Sequence, residues 1–434
     1  MIPTTRRGFL AGSAALIGTG ARAADLDVVV IGAGAAGIAA ARRLRALGRT
    51  VLVVEARDRV GGRVATDTRL GLPFDAGAQY LHWAERNPWR GLASEYGIAT
   101  EEDLGGRPPR IYMGGRTIPD SERGARRAAF SRLDGLLSAG TRPDRSIAQA
   151  VATAGPLLAD AATGLTRLTL GEEPGRVSAA DYDALWSGDD LVVPTGFAGL
   201  VGRAAQGLDI RLATPVTRIG WSSGGVSVDT GSGAIRARAT IVTVPVGVLA
   251  AGGLDFEPGL PTATRDAIDG LGTGAYTKIA LRLDRSRFDA AQLADAIDLE
   301  SPDATTSFEV WPFGRDLVIA YCGGDFARSL CQAGERAAVA HAVERLAAIT
   351  EPALAGAVQA GVLADWWTDP FARGSYSVAK PGRFAARSAL REPIGGRIWL
   401  AGEFTAAEGG AMTAGGAFLE GERAAEAAAR ALPV

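Results

Sequence analysis

The sequence predicts an α/β fold made of two interleaved domains, one organised around a largely parallel sheet and one of mixed α+β structure. Three observations support this prediction. A glycine-rich turn near residue 32 separates a β-branched apolar run from an alanine-rich run, which indicates strand, turn and helix. Further β-branched runs return after residue 210 and near residue 398. The long helical or mixed stretches between them indicate that a second domain interrupts the first.

Composition restricts the classes of function. The chain has 434 residues, of which 47% are hydrophobic and 22% charged, as in a large enzyme and unlike a disordered protein. A formal net charge of -2 provides no basic field for nucleic acid or an anionic membrane. With two cysteines and two histidines, the chain can build neither a multi-disulfide framework nor a Cys/His metal cluster. We therefore expect no nucleic-acid partner and no metal site.

Residues 1–23 have the pattern of a twin-arginine export signal. Arg6 and Arg7 precede a short, mildly apolar run, and small residues around Arg22 form a cleavage site. The apolar run is too short and too rich in glycine for a stable membrane anchor, and no later segment has about 18 uninterrupted apolar residues. We therefore expect a periplasmic or secreted protein that is exported folded. The alternative is a frayed N-terminal tail.

The first element after this signal is a βαβ unit. An apolar strand ends at Gly32, a helix follows Gly37, and a second strand ends at Glu55, about 20 residues after the glycines. Gly32 allows a tight turn, Gly34 allows the backbone to approach a pyrophosphate, and Gly37 allows the helix to pack on the strand. Glu55 is placed to accept hydrogen bonds from a ribose. The pattern predicts a Rossmann-like dinucleotide-binding domain rather than an ordinary tight turn.

The remaining elements follow in chain order. Apolar residues at helical spacing, such as Phe130, Leu133 and Leu137, predict a largely helical insertion. Later apolar runs predict strands at residues 210–216, 225–228, 239–245 and 396–403, and an alanine-rich helix at 416–432. We assign residues 24–82, 197–261 and 394–434 to the dinucleotide-binding domain, and residues 83–196 and 262–393 to a substrate-binding domain.

The sequence after Glu55 extends beyond an ordinary dinucleotide motif. It reads Ala56-Arg57-Asp58-Arg59-Val60-Gly61-Gly62-Arg63, and this extension resembles the flavin-containing amine oxidase family. Matching segments follow in the family's order at residues 74–82, 214–216, 244–249, 366–382 and 401–403. The resemblance covers nearly the whole chain after the export signal. It implies the fold of monoamine oxidases, polyamine oxidases and flavin-type histone demethylases, with FAD as the cofactor.

The resemblance also assigns individual residues to the cofactor. It implies that Val216 meets the adenine through its backbone and that Glu403 lies in the ribityl and phosphate region. Around the adenosine and pyrophosphate it places Gly32, Gly34, Gly37, Glu55, Arg57, Gly62 and Arg63. Beside the isoalloxazine ring it places Gly77, Ala78, Gln79, Trp366, Thr413 and Ala414.

Lys278 is the first of four candidate catalytic residues; the others are Tyr376, Thr413 and His82. The chain has two lysines, Lys278 and Lys380, among 46 basic residues. Strand alternation puts Ile279 and Leu281 on one face and Lys278 on the other, which by itself allows a solvent-facing lysine. The family keeps a lysine near flavin N5 at this position. A compact ammonium that holds one water there is not replaceable by arginine, so we favour the functional interpretation.

Tyr376 corresponds to one aromatic wall beside the flavin, which suits an amine poised over the ring. Ordinary core packing is the alternative for this tyrosine. Thr413 stands where monoamine oxidases have a second tyrosine, so a two-tyrosine cage is not expected. Ser375 stands where those enzymes have the cysteine that bonds the flavin, and we therefore expect noncovalent FAD.

The histidines and cysteines give weaker signals. His82 follows a flavin-side segment, and it either lines the substrate entrance and handles protons or is a plain hydrogen-bonded histidine. His341 lies in a helical run and is expected to be structural. Cys322 and Cys331 are close in sequence, which does not decide whether they pair.

The functional expectation is an FAD-dependent oxidase that converts a small-molecule amine to an imine by hydride transfer to flavin N5. Hydrolysis then gives the carbonyl compound, and reoxidation by oxygen gives hydrogen peroxide; a periplasmic electron carrier is the alternative acceptor. Two other functions remain open. An L-amino-acid oxidase needs an arginine aimed at the substrate carboxylate. A flavin-bearing accessory protein would have lost turnover altogether.

Overall fold

The structure is a computed structural model, and it describes residues 26–102, 108–138, 143–288, 293–301, 304–350 and 352–433. The predicted export signal at residues 1–23 lies outside these ranges. Within the described ranges, every helix is too short or too polar to cross a membrane.

The first domain is built on an eight-stranded sheet. Its strands are β1 Leu26–Ile31, β2 Val51–Val54, β10 Ile210–Arg211, β11 Val216–Ser222, β12 Gly225–Thr230, β13 Gly233–Val242, β14 Asp255–Glu257 and β22 Ile398–Leu400. The order is β10-β2-β1-β13-β12-β11-β14, and β22 also pairs with β13. Strands β10, β2, β1, β13 and β22 run parallel, whereas β12 is antiparallel to both of its neighbours.

This sheet is buried on both faces, as a parallel sheet usually is. Val28 and Val30 of β1 pack with helices α1 (Ala35–Ala46) and α13 (Ala414–Ala431), while Val29 and Ile31 face the opposite core. The two helices approach each other closely because Gly421 has no side chain; a Cβ at this position would lie 2.1 Å from the carbonyl oxygen of Ala36. This packing fixes the N-terminus of α1 next to the carboxyl end of β1.

The second domain is built on a seven-stranded sheet. Its strands are β7 Arg110–Met113, β8 Arg116–Thr117, β16 Tyr276–Leu283, β17 Ala296–Ser301, β18 Ala304–Val310, β19 Leu317–Gly323 and β20 Val358–Ala364. The order is β20-β16-β19-β18-β17-β7-β8. Ile279 and Leu281 face a core that includes helices α10 (Gly324–Ala333) and α11 (Glu335–Ile349). Residues of the opposite face, such as Ala280 and Ile319, pack with Phe74.

The other described elements are short strands and helices around these two sheets. The strands are β3 Thr66–Asp67, β4 Phe74–Asp75, β5 Tyr80–Leu81, β6 Glu101–Glu102, β9 Leu191–Val192, β15 Leu271–Gly274 and β21 Tyr376–Ala379. The helices are α2 Pro88–Tyr96, α3 Asp120–Ser138, α4 Ile147–Val151, α5 Pro156–Leu165, α6 Ala179–Asp183, α7 Phe197–Ala204, α8 Val246–Ala250, α9 Thr262–Asp269 and α12 Ala386–Ala389.

The predicted α/β fold with its βαβ unit and mixed second domain is confirmed, but three strand boundaries were wrong. The strand expected at 210–216 breaks after Arg211, because Ala213 has a left-handed backbone and donates its N–H to the carbonyl of Arg57. The strand expected at 239–245 begins at Gly233 and ends at Val242, because Pro245 leads into α8. The strand expected at 396–403 covers residues 398–400 and is followed by a 3₁₀ turn.

Candidate active site

A cavity of about 880 Å³ extends from the glycine turn of the first domain to the second sheet. Its first end is lined by Gly32, Gly34 and Glu55, and its far end by Lys278, Glu309 and Tyr376. Sequence motifs that are hundreds of residues apart therefore line the same cavity.

The structure requires or allows glycine at the three positions of the turn for different reasons. Gly32 has φ +104°, and a Cβ there would lie 2.5 Å from Oγ1 of Thr243. A Cβ on Gly37 would lie 1.8 Å from the carbonyl oxygen of Gly32. Gly34 is different, because the nearest described protein atoms to its Cβ position are 3.9 Å away and it lines the cavity. Protein packing explains Gly32 and Gly37, whereas the free space at Gly34 suits a bound molecule that approaches the backbone.

Helix α1 starts at this turn without a side-chain cap at Gly34. The N–H groups of the first helical turn are therefore available to an anion, and Ala35 and Ala36 line the cavity. A pyrophosphate at this position would receive both these hydrogen bonds and the favourable helix dipole.

Glu55 is buried at the end of β2 and organises the same corner. Its Oε2 accepts a 2.7 Å hydrogen bond from the N–H of Ala33, and its Oε1 accepts one of 2.9 Å from the N–H of Arg57. A carboxylate has about four acceptor positions, so these two bonds leave capacity for a ribose hydroxyl. The role of Glu55 in ribose binding remains a prediction.

The arginines of the extended motif are held by acids from the C-terminal half. Arg57 forms a bidentate pair with Asp369, with both N···O distances 2.8 Å. Arg63 donates to Glu403 at 3.1 Å and to the carbonyl of Ser375 at 2.8 Å. These pairs connect the nucleotide motif to the segments that line the far end of the cavity.

The backbone near the expected flavin ring is tightly packed. A Cβ on Gly77 would lie 1.8 Å from the carbonyl oxygen of Arg63 and 3.2 Å from the Trp366 ring. Trp366 donates its indole N–H to the carbonyl of Ala76 at 2.9 Å, and Ala78 donates its N–H to Arg63. Gly62, Val216 and Ala78 also line the cavity.

A second helix points its N-terminus at the cavity. Thr413 caps α13 by accepting a 2.9 Å hydrogen bond from the N–H of Gly416, and both Thr413 and Ala414 line the cavity. Negative charge that develops near this end would be stabilised by the helix dipole. The structure thus gives the predicted Thr413 and Ala414 positions a physical reason.

Lys278 is buried, with 6% of its surface exposed, so the solvent-facing alternative is wrong. Its Nζ donates to the carbonyl of Asp75 at 2.7 Å and to Oε1 of Gln79 at 2.9 Å. Burial lowers the pKa of Lys278 to about 8, against the opposing attraction of Asp75 and Glu309. The side chain is thus a compact amine or ammonium group, fixed in position at the cavity wall.

Tyr376 is one of three tyrosines in a row. Its ring centroid is 6.3 Å from that of Tyr276, which is 5.8 Å from that of Tyr321. Tyr376 donates its hydroxyl to the carbonyl of Thr169 at 2.7 Å. The single predicted aromatic wall is therefore extended by Tyr276 and Tyr321, which the sequence analysis missed.

Glu309 was also missed, and it lies in the same cavity. Its carboxylate accepts a short hydrogen bond from the hydroxyl of Tyr321, and no arginine or lysine of the described ranges forms an ion pair with it. Burial, and then the charge of Glu309, raises the pKa of Tyr321 well above its usual value. A half-buried carboxylate with no direct ion pair among the described residues is a candidate binding group for a positively charged ligand.

His82 lines the cavity next to Tyr80, and its Nδ1 lies 3.0 Å from both carboxylate oxygens of Asp190. Burial acts to raise the pKa of Asp190, but the hydrogen bond and the charge of His82 lower it below its usual value. Both interpretations of His82 therefore remain, as a hydrogen-bonded residue that also borders the cavity.

The other histidine and the cysteines lie away from the cavity. His341 hydrogen-bonds Thr306 through Nε2 at 3.1 Å, as expected for a structural residue. Cys322 and Cys331 are both buried and unpaired. Burial raises the pKa of each thiol to about 12, which makes them poor nucleophiles.

These features fit FAD. The free space at Gly34, the uncapped start of α1 and Glu55 suit the pyrophosphate and adenosine, and the α13 N-terminus with Trp366 suits the flavin ring. The donor set is that of a dinucleotide site. Among the described residues, no cluster of three or more histidine, cysteine or acidic side chains could hold a metal ion.

Comparisons with known proteins agree with this geometry. The model of the family described as flavin containing amine oxidoreductase matches residues 35–133 and 141–429. The chain belongs to this family. The predicted resemblance and the FAD cofactor of this flavin-containing amine oxidoreductase are thereby confirmed.

Individual relatives are moderately similar. Polyamine oxidase 2 of Arabidopsis thaliana is 30% identical over 421 residues, which cover 87% of this chain and 83% of that protein. Lysine-specific histone demethylase 1B of Mus musculus is 28% identical over 435 residues, which cover 92% of this chain but 52% of that protein. The chain thus spans about half the length of the histone demethylases it matches.

Among solved structures, a putrescine oxidase double mutant with redesigned cofactor binding has the same fold. It superposes with a TM-score of 0.78 at 21% sequence identity and covers 92% of this chain and 98% of that one. At this level of identity, the match supports the fold and not a particular substrate.

Proposed function

We propose that the protein oxidises an amine to an imine, which water then hydrolyses to a carbonyl compound and ammonia or a smaller amine. FAD, when bound, accepts the hydride from the carbon next to nitrogen and passes the two electrons to dioxygen, giving hydrogen peroxide. The observation that carries the proposal is that Lys278, Tyr376 and Glu309 line the same cavity as the glycine turn.

The chain's own residues bind, orient and exclude water. The tyrosine row from Tyr321 to Tyr376 offers aromatic surface to an amine, either as a hydrophobic wall or through cation–π contact. Lys278 is fixed by two hydrogen bonds, and its remaining proton is free to hold a water beside the flavin. His82 borders the cavity and hydrogen-bonds Asp190, and we propose that it accepts protons that leave the amine.

The charge of Glu309 supports a substrate class. Because its carboxylate forms no direct ion pair with a described residue, an amine with a second positive group gains an ion pair at this position. An amino-acid substrate would instead bring a carboxylate into the cavity that Glu309 lines, where the two like charges repel. This disfavours an L-amino-acid oxidase. We therefore propose a diamine or polyamine as the substrate, in line with the name of the Arabidopsis relative.

The test compares butane-1,4-diamine with butylamine in the wild type and in Glu309→Gln, a change that removes charge but keeps shape. We expect KM for the diamine to rise about tenfold or more in the variant, the scale of a lost charge-assisted bond, while KM for butylamine stays nearly constant. Glu408→Gln, an exposed site, is the matched control. Equal effects on both substrates would reject the diamine proposal. An anaerobic mixture with amines that fails to bleach the flavin would instead indicate an accessory protein without turnover.

Localisation is a separate proposal that depends on Arg6 and Arg7. We propose export through the twin-arginine route to the periplasm or the exterior, because that route carries folded proteins and suits one that binds FAD before export.

Dioxygen is the proposed electron acceptor, with a periplasmic carrier as the alternative.

A further inference from the structure

A chain of hydrogen bonds connects Glu309 with Lys278, and both side chains line the cavity. Tyr321 lies opposite Lys278 across the antiparallel β16–β19 pair, and it lies opposite Ser307 of β18 on its other side. Glu309 is two residues beyond Ser307, so it projects from the same face of the sheet. The fourth member, Gln79, comes from the segment before β5. The connected side chains are Glu309, Tyr321, Gln79 and Lys278.

Gln79 is the shared acceptor in this chain. Its Oε1 lies 2.9 Å from Nζ of Lys278 and 3.2 Å from the hydroxyl oxygen of Tyr321. The hydroxyl of Tyr321 carries one proton but contacts two acceptors, Gln79 and the closer carboxylate of Glu309. While no cation is bound at Glu309, the hydroxyl donates to this closer carboxylate, since a charge-assisted hydrogen bond is the stronger one.

We propose that Tyr321 is a positioning residue that couples the occupancy of Glu309 to Lys278 through Gln79. A cation bound at Glu309 neutralises the carboxylate and weakens its hold on the Tyr321 proton. The hydroxyl then turns to Oε1 of Gln79, and this second donor weakens the hydrogen bond that the same oxygen accepts from Nζ of Lys278. Nζ of Lys278 is thereby held less firmly at Gln79, while its hydrogen bond to the carbonyl of Asp75 remains. This step rests on the proposed function, since it gives the far end of a diamine an influence on the lysine.

The main alternative is that the charge of Glu309 acts on Lys278 directly through space, without Tyr321 and Gln79. The charged and titratable groups that face Lys278 are Asp75 from β4, Tyr276 from its own strand, Tyr321 from β19 and Glu309 from β18. The charge of Glu309 favours the ammonium form of Lys278 even without a hydrogen-bonded connection. An experiment must therefore separate the connection from the charge.

The two lysines of the chain make this separation possible. Protein labelled with ¹³C at lysine Cε gives two lysine signals, and Lys380→Arg assigns them. The titration midpoint of the Lys278 signal is measured in the FAD-loaded wild type, Glu309→Gln, Tyr321→Phe and the double variant, which together form a double-mutant cycle. Phenylalanine keeps the ring that stacks on Tyr276 and removes the hydroxyl alone.

We expect Glu309→Gln to lower the titration midpoint of Lys278. In the Tyr321→Phe background, the same change should lower the midpoint by less than about half of that shift. Tyr276→Phe is the control, because this tyrosine stacks on Tyr321 without a hydrogen bond to Gln79 or Glu309 among the described contacts. In that background the effect of Glu309→Gln should be unchanged. Equal shifts in the tyrosine and phenylalanine backgrounds would mean that charge acts through space, and would overturn the coupling.

A kinetic measurement gives an independent check. In Tyr321→Phe, butane-1,4-diamine should keep its KM advantage over butylamine, because Glu309 still binds the cation, but lose any advantage in kcat. A kcat advantage that survives in Tyr321→Phe contradicts the coupling. Because the NMR cycle requires no turnover, failure of the coupling is distinguishable from failure of the proposed oxidase activity.

Discussion

The guanidinium of Arg63 lies 3.1 Å from the carboxylate of Glu403, although 340 residues separate them in the chain. Glu403 is buried and also accepts hydrogen bonds from the N–H and hydroxyl of Ser377 and from the N–H of Met412. One carboxylate thus joins the glycine-rich N-terminal motif, the tyrosine-bearing strand β21 and the approach to α13.

This arrangement predicts a specific loss in Glu403→Gln. The amide has one acceptor oxygen instead of two, and its NH₂ group would face donors, so we expect a loss of about 1–3 kcal/mol in the free energy of unfolding. FAD affinity should fall as well, because Arg63 loses its ionic partner. Thermal unfolding with and without added FAD measures both effects. Glu408→Gln is the control, and a Glu403→Gln variant that behaves like it would contradict this role.

Gly34 gives a second prediction, which separates ligand contact from folding. Gly34→Ala should fold normally, because no described protein atom lies closer than 3.9 Å to the new Cβ. It should bind FAD about tenfold or more weakly, since the methyl group occupies the space for the pyrophosphate. FAD titration of the apoprotein measures the affinity, and Gly91→Ala in α2 is the control. Wild-type affinity would show that the space at Gly34 is not used by the cofactor.

The sequence was sufficient for features that depend on local pattern. The βαβ unit and the distinct roles of Gly32 and Gly37 follow from residue types and their spacing, whereas the position of Lys278 near the flavin was implied by the family resemblance. Tyr321 and Glu309 could not be predicted, because their positions depend on the register between β16, β18 and β19. A shift of one residue in that register would move each side chain to the other face.

The flavin should be releasable from the protein. Ser375 stands at the position of the flavin-bonding cysteine in related enzymes, and its hydroxyl donates to the carbonyl of Tyr276 at 2.8 Å. A thioether requires sulfur, so Ser375 cannot form this bond to the flavin. We expect the purified protein to be yellow and to release free FAD on heating or acid treatment. Yellow colour that remains with the precipitated protein would refute noncovalent binding.

Export is predicted to depend on the paired arginines. Arg6→Lys together with Arg7→Lys keeps the charge but removes the recognised feature of the signal. The double variant should therefore accumulate in the cytoplasm with FAD bound, as measured by cell fractionation. Arg22→Lys, near the expected cleavage site, is the control. A normal periplasmic yield from the double variant would end the proposal of twin-arginine export.

The last prediction concerns the pH dependence of Lys278. Because burial lowers its pKa to about 8, the side chain is an ammonium below this pH and a neutral amine above it. Dioxygen gains negative charge as it accepts electrons, and a fixed ammonium stabilises such charge. Flavin reoxidation should therefore slow as the pH rises through about 8.

In Lys278→Met this pH dependence should vanish and the reoxidation rate should fall roughly tenfold or more, with FAD still bound. Lys278→Arg should also be slow, because the planar guanidinium displaces the water that the ammonium holds. Stopped-flow absorbance of the separate half-reactions tests all three proteins, and an unchanged rate and pH step in Lys278→Met would remove Lys278 from the mechanism.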